Sequence, residues 1–233
     1  PTLHFSPPHR GIVRTTVLLL VGWVFGGAVL KAYPPAPYYT LFGVVRDQVG
    51  ATLRVDGAEI VLLRDGKEIG THQVRLSGNT QRLLVQSDIA LQVKLAGFTV
   101  FRLHHEIEEE WQGDRLQRLT SRHDRNGTVT EASVAVEGGA LLAQGPGGMR
   151  RLPADAAPLT WWNSTNFTRP IFRPITCKLL AGTASRSAAP GGGVQFSLNG
   201  EVEAVARYDA QGRWVALTTK GDDGSAVIYE LMG

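Results

Sequence analysis

From Ala51 onward the chain is punctuated by two-residue turn signals at short intervals, a pattern that leaves room for little except antiparallel strands. Asp56-Gly57, Asp65-Gly66, Gly78-Asn79, Gly113-Asp114, Asn126-Gly127, Gly138-Gly139, Asn199-Gly200, Gln211-Gly212 and Asp223-Gly224 separate runs rich in β-branched and aromatic residues. Asn-Gly and Asp-Gly pairs supply the positive φ angles that tight hairpin turns require. No long apolar period of 3.6 residues survives beyond residue 50. The expected fold is therefore all-β: a curved antiparallel meander over residues 55–233, built as a half-barrel or a sandwich. Residues 145–193 interrupt the pattern with Pro146, Pro153, Pro158, Pro170, Pro174 and Pro190, and are expected to form long loops over one end or face of the sheet.

Ahead of this region lies a run of a different kind. Residues 15–30 (TTVLLLVGWVFGGAVL) are uncharged and apolar, bracketed by Arg14 and Lys31. Extended to residues 12–33, with Lys31 snorkelling, the segment at ~1.5 Å per residue covers the roughly 30 Å of a hydrocarbon core. Arg10 and Arg14 precede it and only Lys31 closely follows. The expected topology is thus a cytoplasmic tail (1–11), one transmembrane helix (12–33) and a periplasmic bulk. A cleaved signal peptide is the rival, but KAYPPAPYY after the run has no clean small-x-small cleavage site. Gly22, Gly26 and Gly27 form a small-xxx-small face suited to close helix packing. Pro34, Pro35 and Pro37 end the helix and open a Pro/Tyr-rich neck (34–54), in which residues 38–49 have the pattern of an interfacial helix.

Charge and cysteine content narrow the function. Three of the 24 basic residues and none of the 21 acidic ones fall within residues 1–33, so the remainder is balanced at 21 to 21. A nucleic-acid partner needs a concentrated basic face and is not expected. Cys177 is the only cysteine, in the apolar context PITCKLL, and is expected to be a buried, inert thiol. The Gly-rich pieces at 145–148 and 190–193 lack the lysine and hydroxyl of a phosphate loop.

Strand parity identifies the candidate residues. In the strand around residues 100–111, one face carries Phe101, Leu103, His105, Ile107, Glu109 and Trp111; the other carries Arg102, His104, Glu106, Glu108 and Glu110. The second is a solvated face. The first is apolar apart from His105 and Glu109, which would project into the core or concavity. A buried glutamate must be paired or protonated. Two readings stand: a polar pair lining a ligand cavity, or two groups satisfied by an arginine or by backbone. Trp161, Trp162 and Asn163 form a second cluster, either a stacking platform at a cavity mouth or a plug at one end of the sheet. His123-Asp124 reads as turn chemistry. His104, His105 and His123 permit a metal site but nothing demands one, so neither metal nor cofactor is expected.

The order DGKEIGTH (65–72), HEIEEEWQGDRLQRLTSRHDRNGT, PLTWWN (158–163) and RYDAQGRWVALTTKGDDGSAVIYEL (207–231) resembles a bacterial family of exported β-rich domains with no assigned function, over roughly residues 55–233. The resemblance implies a periplasmic or envelope location and a curved antiparallel sheet. Glu109, Trp111, Trp162 and Asn163 match its recurring positions, and it brings no catalytic residue. The expected function is a non-enzymatic, single-pass accessory subunit of a larger inner-membrane complex, with membrane-protein subunits and lipid as partners. The alternative is a binding module holding a lipid or other apolar molecule on the concave face, lined by His105, Glu109 and Trp162.

Overall fold

A strand can curl a sheet only if its neighbours curl with it, and here thirteen do. The computed structural model describes residues 53–64, 67–79, 81–220, 224 and 226–231. Within them the strands are β1 (Leu53–Arg64), β2 (Lys67–Gly78), β3 (Leu83–Leu95), β4 (Phe98–Gln112), β5 (Arg115–Arg125), β6 (Thr128–Glu137), β7 (Ala140–Gly145), β8 (Gly148–Leu152), β9 (Ala157–Pro158), β10 (Ile171–Phe172), β11 (Gly182–Ala188), β12 (Val194–Gly200), β13 (Ala204–Tyr208), β14 (Trp214–Lys220) and β15 (Ala226–Leu231). One 13-stranded sheet runs β11-β12-β13-β14-β15-β1-β2-β3-β4-β5-β6-β7-β8, and β9 and β10 form a small parallel pair. Every neighbour in the large sheet is antiparallel, and β15 joins β1, so two meanders merge into one.

The curvature follows from contacts that a flat sheet forbids. Three strand spacings separate β14 from β2, about 14 Å if flat. Yet the rings of Trp214 on β14 and His72 on β2 lie 5.3 Å apart. The segment between β8 and β11 explains how the concavity is filled. Its Trp162 packs on Trp111 of β4, with ring centroids 5.8 Å apart, and its Phe167 packs on Phe196 of β12 at 5.3 Å. Tyr208 of β13 donates to the Trp161 carbonyl at 2.8 Å. Both arms of the sheet therefore close on one plug, which includes a short 3-10 helix, Ser164–Thr168. Outside the plug, Arg169 holds the β4–β5 turn by donating to the Asp114 carbonyl at 2.5 Å. The arrangement is the half-barrel branch of the expected fold, with a single curved sheet instead of two stacked ones.

Several local expectations need correction. Asp56-Gly57 is no turn; it lies inside β1, where the register with β2 shifts between Val55 and Ala58. The extra residue is absorbed as a bulge, which sharpens the local twist. Ala96-Gly97, which carries no Asn or Asp signal, does turn the chain between β3 and β4, with Ala96 at φ 49°. The stretch 145–193 is not all loop, because β8 and β11 lie within it. The sheet begins at Leu53, two residues before the expected boundary. The expected membrane helix (12–33) with Gly22, Gly26 and Gly27, and the expected interfacial helix (38–49), lie outside the described residues. Among the described residues no helix is long and apolar enough to cross a membrane.

At Gly70 the backbone of β3 leaves no room for a side chain on β2. A Cβ there would lie 1.9 Å from the Ala90 carbonyl oxygen, and that atom belongs to backbone that cannot swing aside. Gly70→Ala is expected to cost about 3 kcal/mol, the upper range of overpacking penalties. Urea denaturation checks it, and a change below about 0.5 kcal/mol would show that the two strands are free to part.

Candidate functional site

Alternation along β4 places His105, Ile107, Glu109 and Trp111 on the concave face, all buried, while Glu106 and Glu108 point outward. Glu109 is completely buried, at 0 % exposure. Its carboxyl accepts from the Trp111 indole at 2.8 Å and from the Trp162 indole at 3.2 Å. The Thr160 hydroxyl also bonds to it. Burial raises the Glu109 pKa to about 7, against the pull of these three donors. Among the described residues no arginine, one of the two partners expected from the sequence, serves this group; two indoles and a hydroxyl do. Asn166, fully buried, extends the chain with an Nδ2 contact to Thr160 Oγ1 at 3.4 Å.

The Trp-Trp-Asn cluster is the plug itself. Trp162 is buried against Trp111, while Trp161 is half-buried and stacks on Phe167, centroids 5.6 Å apart. The two neighbours diverge because they sit in a loop, where strand alternation does not apply. Asn163 caps the 3-10 helix, its Oδ1 accepting from Thr165 N at 3.1 Å and from Thr165 Oγ1 at 2.9 Å. Glu109, Trp111, Trp162 and Asn163 thus belong to one rivet joining the sheet to the plug. Cys177 is buried nearby, with its thiol 3.8 Å from the Ser133 carbonyl oxygen and 3.7 Å from that of Gln144.

His105 belongs to a different group. Across the sheet His72 pairs with Ile89, Ile89 with His105, and His105 with His123, so three histidines share one row. His105 Nε2 bonds to Ser121 Oγ at 2.9 Å, and its ring meets that of His123 edge-on, 5.2 Å between centroids. His72, which sequence reading missed, is 3 % exposed, and among the described residues neither of its ring nitrogens has a hydrogen-bond partner. The signal was available in GTHQVRL, whose alternation carries His72 inward with Val74 and Leu76. Burial lowers both His72 and His105 to about 3, helped by repulsion between neighbouring histidines. Both rings are neutral. His123 is a strand residue, not a turn residue; Asp124 does serve the turn, accepting from Gly127 N at 2.8 Å.

Toward the β3–β4 turn the same face continues as Leu91, Val93, Phe101 and Leu103, all half-buried. At the tip Phe98 is 75 % exposed. Arg125 stands at the mouth, its guanidinium 5.4 Å from the Phe101 ring centre. The strip is apolar and only partly covered by the described residues.

His104 lies on the opposite face from His105 and His123, which rules out the three-histidine grouping considered from sequence. It bonds to Asp88 Oδ2 at 3.0 Å. With Glu106, these residues bring one donor atom each within 4.8 Å of the others. Glu106 is already paired with Arg122 at 3.7 Å. Asp88 and Glu106 border an outward hollow of about 690 Å³ whose charged lining, including Arg75, Glu108, Arg122 and Glu131, mixes both signs.

Residues 61–232 match the family model described as "Domain of unknown function (DUF6134)". No curated protein matches the sequence. Among solved structures, the fold is similar to the crystal structure of a beta-barrel-like protein of domain of unknown function DUF1849 from Brucella abortus. The TM-score is 0.51 at 9 % identity, over 78 % of this chain and 98 % of that one.

Proposed function

The chain belongs to the DUF6134 family of domains of unknown function, and from that premise we propose that it is a non-enzymatic accessory subunit of a larger membrane assembly. In this reading residues 12–33 anchor it in the bacterial inner membrane and the β-domain stands in the periplasm. One observation carries the proposal: the inner strip of the β3–β4 hairpin is apolar and only half-buried at Leu91, Val93, Phe101 and Leu103, and it ends in Phe98 at 75 % exposure. A single exposed leucine needs no explanation, whereas a contiguous apolar strip ending in an exposed phenylalanine is the kind of surface that partners bury. A membrane-protein subunit lying along the strip supplies that cover.

The test is a mild-detergent pull-down through a C-terminal tag, with mass spectrometry of proteins and lipids in the eluate. A stoichiometric membrane complex is expected. Phe98→Asp should leave the fold intact, because the side chain is exposed, yet lower recovery of the partner at least about tenfold, as expected for losing a buried aromatic anchor. A lone chain in the eluate would sink the accessory reading. The second reading, a module holding a lipid or other apolar molecule, is favoured by the polar histidine row at the base of the same strip.

A further inference from the structure

We propose that His72 and His105 form the head-group site of an amphiphile with an uncharged hydroxyl or amide head, whose tail lies along Leu91 and Leu103. The proposal rests on the second reading above and names the chemistry that reading left open.

Four observations converge on this site. His72 is buried with both ring nitrogens unpartnered among the described residues. A buried imidazole left without partners costs free energy, and such groups in folded proteins are normally satisfied. One row nearer the mouth on the same face of β2 stands Gly70, which cannot carry a side chain there without striking Ala90. That row of β2 therefore carries no side chain. Leu91 and Leu103 occupy that next row on β3 and β4, level with Gly70. His105 is one strand beyond Ile89 in the histidine row and shares a hydrogen bond with Ser121.

The chemistry of the head follows from the charge state of the floor. A neutral imidazole offers one donor and one acceptor. A hydroxyl or an amide answers with one of each. A carboxylate only accepts, and it would enter a floor with no cation; an alkylammonium only donates, and would meet no carboxylate there. Both rings stay neutral far below neutral pH, in keeping with this selection. Arg125 is placed at the mouth, level with Leu103, where it would meet the opposite end of the ligand. The head chemistry is shared by a membrane lipid with a free hydroxyl and by a soluble alcohol.

The experiment titrates octanol, octanoate and octylammonium into the full-length chain in phosphatidylcholine nanodiscs at neutral pH, by calorimetry against empty discs. Octanol is expected to bind about tenfold more tightly than either ion, the difference one satisfied hydrogen-bonding group makes. His72→Leu should abolish that preference, and His72→Gln, which keeps a donor and an acceptor, should retain most of it. Adding diacylglycerol to the discs separates the sources: competition with octanol points to a membrane lipid, and its absence to a soluble alcohol. Octanol binding that is indifferent to His72→Leu overturns the head-group assignment and leaves the apolar-ligand reading standing. Binding of none of the three by the wild type removes both. Tighter octanoate binding that depends on Arg125 also overturns the proposal, since the head then sits at the mouth. If His72→Leu fails to fold, Leu103→Gln on the half-buried strip carries the test, and unchanged octanol affinity there overturns it.

Discussion

Between pH 6.5 and pH 3 the domain is expected to lose most of its stability, because two of its histidines are folded as neutral groups. His72 and His105 have ordinary values of 6.5 and folded values of about 3. In that window the unfolded chain binds protons that the folded chain refuses, so stability rises with pH. Each group contributes about 1.4 kcal/mol per pH unit. Glu109 works the other way. Its folded value of about 7 lies above its ordinary 4.5, so between those limits the folded state holds the extra proton and stability falls as pH rises. The net slope is then about 1.4 kcal/mol per unit from pH 4.5 to 6.5, and about 2.7 below pH 4.5. Since domains of this size hold about 5–15 kcal/mol in all, a domain at the low end of that range is expected to unfold in acid between about pH 4 and pH 3. Urea midpoints measured across this range give the profile. His72→Leu should halve the slope below pH 4.5, and a flat wild-type profile would show that the buried rings take up protons freely.

Removing the Glu109 carboxyl is expected to be the most damaging single change in the molecule. Glu109→Leu leaves the indoles of Trp111 and Trp162 and the Thr160 hydroxyl buried with no acceptor. Orphaned donors cost about 1–3 kcal/mol each, and the lost packing between plug and sheet adds to that. Some of the cost is offset, because the burial penalty of the carboxylate disappears with it. A net loss of about 4 kcal/mol is the expected result. Glu109→Gln keeps the volume and one acceptor oxygen, and it does not titrate. Its cost should be smaller, about 1–3 kcal/mol, and least above pH 7, where the wild-type carboxyl bears an uncompensated charge. Chemical denaturation at pH 5 and pH 8 distinguishes the two. Neither variant should alter octanol binding as long as it folds, because Glu109 sits at the plugged end. Loss of a bound ligand in a folded Glu109→Gln chain would move the residue out of its structural role.

The functional candidates divide along the same line. His105 and Glu109 look equivalent in sequence, two polar residues four apart on an otherwise apolar face. In the structure they serve different neighbourhoods, one in a histidine row at the open end and the other in a closed rivet. The aromatic cluster at residues 161–163 was legible as either platform or plug. Its role as a plug depends on the path of a proline-rich segment whose local pattern specifies no regular element. Ala96-Gly97 escaped notice for a related reason: alanine rarely adopts positive φ, so its presence in a turn is imposed by the two strands it joins.

Residue pattern alone determined that the chain beyond residue 50 is antiparallel β, and it sorted β4 into a buried and a solvated face. Turn chemistry and pleat alternation are local properties of the backbone, set by the residue and its immediate neighbours. Only the tertiary structure decided that β15 closes onto β1, that His72 and Trp214 meet across the concavity, and that Trp162 reaches Glu109 from 53 residues away. Those contacts depend on how far the sheet curls and where a loop returns. Both are set by the packing of the whole interior, which no short stretch of sequence encodes.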